Sequence, residues 1–263
     1  GVTDALIRLG QGFVQHPAND ALRQKLQLGE LKSEQYFAQL LRLVYRFIFL
    51  FTVEERGLVP MAAQAGDDDD TAQARSTAAQ LYADGYAMAR LRDMALRRRA
   101  HTRFDDLWQA VRIVFRGLDQ GQPRLALPAL GGLFAASQCE DLDTASLSNA
   151  ALLATMKSLR WAGTAGSALA PIDYRNMGTE ELGSVYESLL ELHPTIDIPA
   201  RLFGLPDASS GSERKTTGSY YTPPSLVQEL IRSALDPVIE DRVAQNPAQP
   251  VATKVSYSAF RQS

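Results

Sequence analysis

Residues 40–53, Leu-Leu-Arg-Leu-Val-Tyr-Arg-Phe-Ile-Phe-Leu-Phe-Thr-Val, are apolar at nearly every position. A helix that is apolar on most faces has no side to give to water, so it runs either through the middle of a packed core or through a membrane. The stretch falls short of the ~20 apolar residues that a spanning helix needs, and Arg42 and Arg46 interrupt it. The expectation is therefore a central buried helix and no membrane. Ser33 before Glu34 reads as its N-cap, and Gly57 with Pro60 as its stop.

Other segments supply amphipathic stripes to pack around such a helix. Residues 67–70 are four consecutive aspartates. Their side chains splay apart, so the reading is an acidic turn at a helix N-terminus, where the dipole favours negative charge, rather than a metal site. A helix from about Thr71 carries Leu81, Tyr82, Tyr86, Met88 and Met94 and ends in a basic run. Asp105 caps a helix with Leu107, Trp108, Val111, Val114, Phe115 and Leu118 at helical spacing, and Ser148 caps one with Leu152, Leu153, Met156 and Leu159. Thr179 starts another, with Leu182, Val185, Tyr186, Leu189 and Leu190 on one face. Residues 125–134, punctuated by Pro128, Gly131 and Gly132, read as a packed connector, and residues 195–205 as a source of one short strand. The predicted class is mainly α. The small, loose residues 162–170 suggest a soft boundary, giving a helical domain over 1–165 and a connector region over 166–263.

An apolar content of 45% and a charged content of 22% fit a globular chain of 263 residues. A formal charge of −3 gives no global attraction to DNA, so any such contact needs a local patch. The single cysteine excludes an internal disulfide and fits a reducing, cytoplasmic setting. With Gly1 first and no basic leader before an apolar core, no signal peptide is expected.

The densest positive charge is Arg90, Arg92, Arg97, Arg98, Arg99, His101 and Arg103. Guanidinium groups make bidentate, charge-assisted bonds to phosphate. A solvated helix C-terminus would carry the same residues, and the sequence leaves both readings open. Arg214 and Lys215 form a second basic group in a Ser/Gly/Thr-rich loop. His16, His101 and His193 are isolated and show no metal-ligand spacing. No nuclease signature and no serine or cysteine nucleophile with an identifiable partner occurs.

Gly218-Ser219-Tyr220-Tyr221-Thr222-Pro223-Pro224 precedes an amphipathic run with Leu226, Val227, Leu230, Ile231, Ala234 and Val238 on one stripe. Thr222 suits an N-cap and the prolines a first turn. Two aromatics beside an open helix N-terminus suit a small ligand with a carboxylate, although a capped core helix with two packed tyrosines has the same pattern.

With Glu213-Arg214-Lys215-Thr216-Thr217 before it, this element resembles the one just upstream of the catalytic core in adenine-specific DNA methyltransferases. Within that family the similarity is to the large methylases of type IIG restriction-modification and related phage-defence systems. Ile172-Asp173-Tyr174-Arg175-Asn176 and Glu180-Glu181-Leu182-Gly183-Ser184-Val185-Tyr186-Glu187-Ser188-Leu189-Leu190 are similar to the segment before that element. Tyr45-Arg46-Phe47, Glu54-Glu55-Arg56-Gly57-Leu58 and Leu127-Pro128-Ala129-Leu130-Gly131-Gly132-Leu133-Phe134 are similar to the N-terminal helical region of that family.

The resemblance implies a helical N-terminal domain leading, through residues 218–240, into a Rossmann-like methyltransferase core. The family's Gly-rich cofactor loop and its Asn-Pro-Pro-aromatic loop are both missing, since Asn246-Pro247-Ala248-Gln249 lacks the second proline and the aromatic. The expectation is an N-terminal portion, inactive alone, of an enzyme that transfers a methyl group from S-adenosylmethionine to adenine in DNA. Tyr220, Tyr221, Thr222 and Pro223 would border the cofactor's methionine end once the core is present. Arg97, Arg98, Arg99, Arg103, Arg214 and Lys215 would contact DNA phosphates. A stand-alone helical module that binds DNA or a protein remains the alternative.

Overall fold

The computed structural model describes residues 1–61, 68–162, 170–178, 192–206 and 224–245, together with Gly183 and Leu189. They belong to two compact units, Gly1–Ser212 and Glu213–Ser263. The boundary expected near residue 165 falls among residues 163–169, outside the described residues, as does nearly all of the helix expected from Thr179 to Leu190.

The first unit is mainly helical. Its helices are α1 (Val2–Gln15), α2 (Asp20–Leu28), α3 (Ser33–Glu55), α4 (Asp69–Gly85), α5 (Met88–Met94), α6 (Asp106–Gln120) and α7 (Asn149–Arg160). Two small antiparallel pairs accompany them: β1 (Trp161–Ala162) with β2 (Ala170–Pro171), and β3 (Thr195–Asp197) with β4 (Leu202–Gly204). The segment expected to give one short strand thus gives a hairpin.

Helix α3 is the core helix. It is long and apolar enough to cross a membrane by length and composition, yet 78% of its most apolar window is buried inside the protein. Tyr36, Leu40, Leu43, Val44, Phe47, Leu50 and Phe51 are fully enclosed, and α1, α5 and the turn Gly132–Phe134 pack around them. Among its polar residues, Gln39, Arg46 and Thr52 are buried as well. Gln39, Arg42 and Arg46 form a stripe that pins the irregular chain from Leu133 to Asp143. The Arg46 guanidinium, fully buried, donates to both Asp143 carboxylate oxygens (2.9 and 3.1 Å), to Leu133 O (2.9 Å) and to Ala135 O (3.2 Å). It also lies 5.0 Å from the Phe115 ring centroid. Arg42 donates to Gln138 O at 3.1 Å. The Gln39 amide donates to Asp141 Oδ2 (2.8 Å) and accepts from the backbone N–H of Asp141 and Leu142 (3.1 and 3.2 Å). Buried polar groups need such partners, and here one helix face supplies them to a loop with no ladder of its own.

Where one helix is expected from residue 71 through Met94, there are two. Tyr86 N and Ala87 N both donate to Tyr82 O (2.8 and 2.9 Å), which closes α4. The buried Glu54 carboxylate then accepts from Met88 N (2.8 Å) and Ala89 N (2.9 Å), the first free N–H groups of α5, and from the Tyr82 hydroxyl. A carboxylate offered at that point starts a new helix instead of continuing the old one. Burial raises the Glu54 carboxyl above its ordinary value, against the pull of those three hydrogen bonds and of Arg92.

Helix α1 crosses α7 closely at Gly12, where a β-carbon would stand 2.6 Å from Ala151 Cβ and 2.7 Å from Leu147 Cδ1. Two residues earlier Gly10 leaves a notch filled by the Phe203 ring of the β3–β4 hairpin. Phe203 also packs edge-on against Tyr36 at 5.7 Å, and the Tyr36 hydroxyl donates to Gly10 O at 2.7 Å. Gln11 holds the hairpin from both sides, donating to Arg201 O (2.6 Å) and accepting from Phe203 N (3.0 Å).

In the second unit, α8 (Pro224–Leu230) continues through a π turn (Ile231–Leu235) into α9 (Asp236–Gln245). Asp236 N donates to Ile231 O across the widened turn. The turn directly precedes Pro237, whose ring would clash with the Ser233 carbonyl in a regular α-helix. Leu226, Val227, Leu230, Leu235 and Val238 are exposed.

Candidate nucleic-acid interface

The basic run is not a helix C-terminus. Helix α5 ends at Met94, and Arg98–Ala100 form a separate 3-10 turn. A series of tight bonds builds the link: Arg97 N to Met94 O (2.9 Å), Ala100 N to Arg97 O (2.9 Å) and His101 N to Arg98 O (3.3 Å). His101 Nε2 closes it, donating back to Ala95 O at 3.0 Å. The histidine expected to stand in a basic cluster therefore serves as a strut, and the arginines project from the turn it holds.

The following residues are tied to α7 and α6 through one buried side chain. Asn149 N donates to Phe104 O (2.6 Å), and Ala150 N to Thr102 O (3.0 Å). The Asn149 amide donates to Thr102 Oγ1 (2.9 Å) and Asp106 Oδ1 (2.8 Å), and its oxygen accepts from Leu107 N (3.1 Å). Asp105 stands at the N-cap position of α6 as predicted, but its carboxylate bonds Gln109 Nε2, and Asn149 takes over the capping bond.

Arg97, Arg98, Arg99 and Arg103 are exposed, and none makes an ion pair among the described residues. Arg97 and Arg99 line a groove of about 740 Å³ together with Arg90, Asp93 and Met94. Asp93 there is paired with Arg160 at 2.7 Å, so it does not neutralise the groove's own arginines. Arg98 is not part of that groove. Arg103 lines a second one, of about 910 Å³, between α1 and residues 101–105. Arg92 leaves the basic cluster altogether. It pairs with Glu55 at 2.5 Å and stacks over Phe51 (4.6 Å) and Tyr174 (5.4 Å), an internal tie rather than a contact group.

Arg214, Lys215, Tyr220, Tyr221, Thr222 and Pro223, the other site residues expected from the sequence, lie outside the described residues. Arg8 and His16 line the second groove although nothing near them in sequence marks them, because the groove is made by the packing of α1 beside a distant loop. Phe104 is the residue a reader of the sequence could have found, as an aromatic directly after Arg103 and before the Asp105-Asp106 helix start; it is 61% exposed. The sole thiol is a core group. Cys139 is fully buried with Sγ 3.6 Å from Gln39 O, and burial pushes its pKa up to about 12.

What this surface can do chemically is bind anions: guanidinium groups without carboxylate partners among the described residues, on a backbone fixed by hydrogen bonds, present ready donors to phosphate oxygens. Set beside known proteins, the chain matches no family model, no curated sequence and no solved structure.

Proposed function

We propose that this chain is the helical N-terminal portion of an S-adenosylmethionine-dependent, adenine-specific DNA methyltransferase of a restriction-modification or phage-defence system. In this reading the turn at residues 97–103 rests against the DNA backbone, and residues 218–224 border the cofactor in the complete cytoplasmic enzyme. The methyltransferase part of the reading is supported by the ordered sequence blocks around Tyr45, Leu127, Asp173, Glu180 and Tyr220. The DNA contact is supported by one observation above the rest. Arg23, Arg46, Arg92 and Arg160 are each paired with a carboxylate, whereas Arg97, Arg98, Arg99 and Arg103 stand exposed on a fixed turn without such partners among the described residues. Contacts of this kind position a protein on DNA and do not read its sequence.

The test is the salt dependence of duplex binding. Each lost phosphate contact lowers the slope of log affinity against log salt by about 0.9. Replacing Arg97, Arg98 and Arg99 with alanine should therefore reduce the slope by about 2–3 and leave the melting temperature unchanged. A slope identical to that of the wild type would remove the turn from the interface. The cofactor part is tested by calorimetry with S-adenosylmethionine, on this chain and on a chain that includes the catalytic core. Binding by the longer chain alone, lost on Tyr221→Ala with Thr222→Ala, is the expected result. Binding by neither would leave only a DNA-contacting helical module.

A further inference from the structure

We infer that the groove between α1 and residues 101–105 takes an unpaired stretch of DNA, with one base stacked on Phe104 and the neighbouring phosphates on Arg103 and Arg8. The inference rests on the DNA reading above and adds to it the single-stranded state of the bound segment.

Phe104 is the reason to look here. A phenylalanine 61% open to water gives up most of what its ring would gain by burial, and a loose loop would fold it away. This loop is not loose: Phe104 O and Thr102 O are both held by N–H groups of α7, and Asn149 fixes the residues on either side. The ring is thus displayed by a backbone that cannot retract it, which is how aromatic platforms for bases are built. The Arg103 guanidinium lies over one face of the ring, 5.7 Å from its centroid, so a base would stack on the opposite face.

The rest of the groove has matching chemistry. Arg8 is exposed on α1, its Nε held by Ser158 Oγ at 3.1 Å so that its terminal nitrogens remain for another acceptor. His16 Nδ1 accepts from Ala18 N at 3.3 Å, which leaves Nε2 for a base edge or phosphate. Among the described residues, the one carboxylate lining the groove, that of Asp105, is bonded to Gln109. A volume of about 910 Å³ gives the groove room for splayed nucleotides. Inside a duplex, moreover, both faces of every base are covered, and Phe104 would have nothing to stack on.

The experiment is fluorescence anisotropy with a labelled oligothymidylate of about 12 nucleotides, within the usual site sizes for unpaired strands, and with a duplex of the same length. Phe104→Ala should weaken oligothymidylate binding by roughly 5- to 150-fold, the range for one lost base–aromatic stack. Duplex binding should stay within about twofold, and Phe104→Trp should restore the single-strand affinity. The ring is exposed, so neither variant should alter the melting temperature. Equal oligothymidylate affinity for Phe104→Ala and wild type, with the Arg97/Arg98/Arg99 triple variant weakened on both ligands, would overturn the inference and leave the DNA reading intact. Equal weakening of both ligands by Phe104→Ala would overturn the single-strand assignment. Failure of the wild type to bind either ligand would overturn both.

Discussion

Replacing Arg46 with alanine is the most demanding test of how this fold holds together. Arg46→Ala deletes a fully buried cation with two bonds to Asp143 and two to backbone carbonyls. Breaking a buried ion pair from one side costs about 3–5 kcal/mol, because the remaining charge stays uncompensated. The Asp143 side chain is 24% exposed, so water recovers part of that, and the lower end, about 3 kcal/mol, is the expected loss. For a unit of this size the melting temperature should fall by about 6–12 °C. Urea unfolding followed by the fluorescence of Trp108, fully buried beside Phe13, gives the free energy directly. A second arm separates charge from packing. Burial already raises the Asp143 carboxyl above its reference value of 3.8 despite Arg46, and removal of the arginine raises it further. A carboxyl raised in the folded state favours folding below its unfolded value and loses that contribution as pH climbs through the folded value. The deficit of Arg46→Ala should therefore be largest at neutral pH and shrink toward pH 3.8. A loss below about 1 kcal/mol, or a deficit independent of pH, would refute the account of Arg46 as the charge that anchors residues 133–143.

Three further outcomes follow from other contacts. Gly12→Ala drives a methyl into Ala151 and Leu147 and should cost about 1–3 kcal/mol in a thermal melt, with an unchanged melting temperature contradicting the close α1–α7 crossing. Tyr82→Phe removes one donor from Glu54 and should cost about 1–2 kcal/mol at neutral pH. Glu54, already raised by burial, then rises further, so this deficit should fade as the medium is acidified toward 4.5; constancy across that range would exclude the Tyr82–Glu54 bond as the cause. Cys139 should resist a thiol reagent in native buffer and react only along the urea unfolding curve, and rapid native labelling would show the thiol to be reachable.

The parts of the fold that were legible are those fixed by local chemistry. Residues 40–53 could only be a central helix once a membrane was set aside, and Ser148 caps α7 through Ala151 N as its sequence context indicates. Asp68, within the aspartate run, caps α4 through Thr71 N. What could not be read depends on partners far away in sequence. Nothing around Tyr86 says that Glu54 will begin a new helix there, and nothing around Arg92 says that Glu55, Phe51 and Tyr174 will claim it. The candidate interface divides in the same way. Exposure of Arg97, Arg98, Arg99 and Arg103 was foreseeable from the density of charge, but the placing of Arg97 and Arg99 in one groove and Arg103 in another follows from a 3-10 turn that charge alone does not encode.

The seat of Phe203 in the Gly10 notch bears on how the polypeptide could be dissected. A chain cut at residue 165 would keep every helix from α1 to α7 and lose the hairpin that fills the notch, leaving Tyr36 uncovered and both Gln11 bonds unmade. The smallest piece able to reproduce the native helical body therefore extends at least through Leu205, whose side chain is itself buried. Helix count is a poor guide to autonomy here: β4, the last strand among the described residues of the unit, seals a gap in α1, so α1 reaches its final packing only once the chain as far as Gly204 has been made.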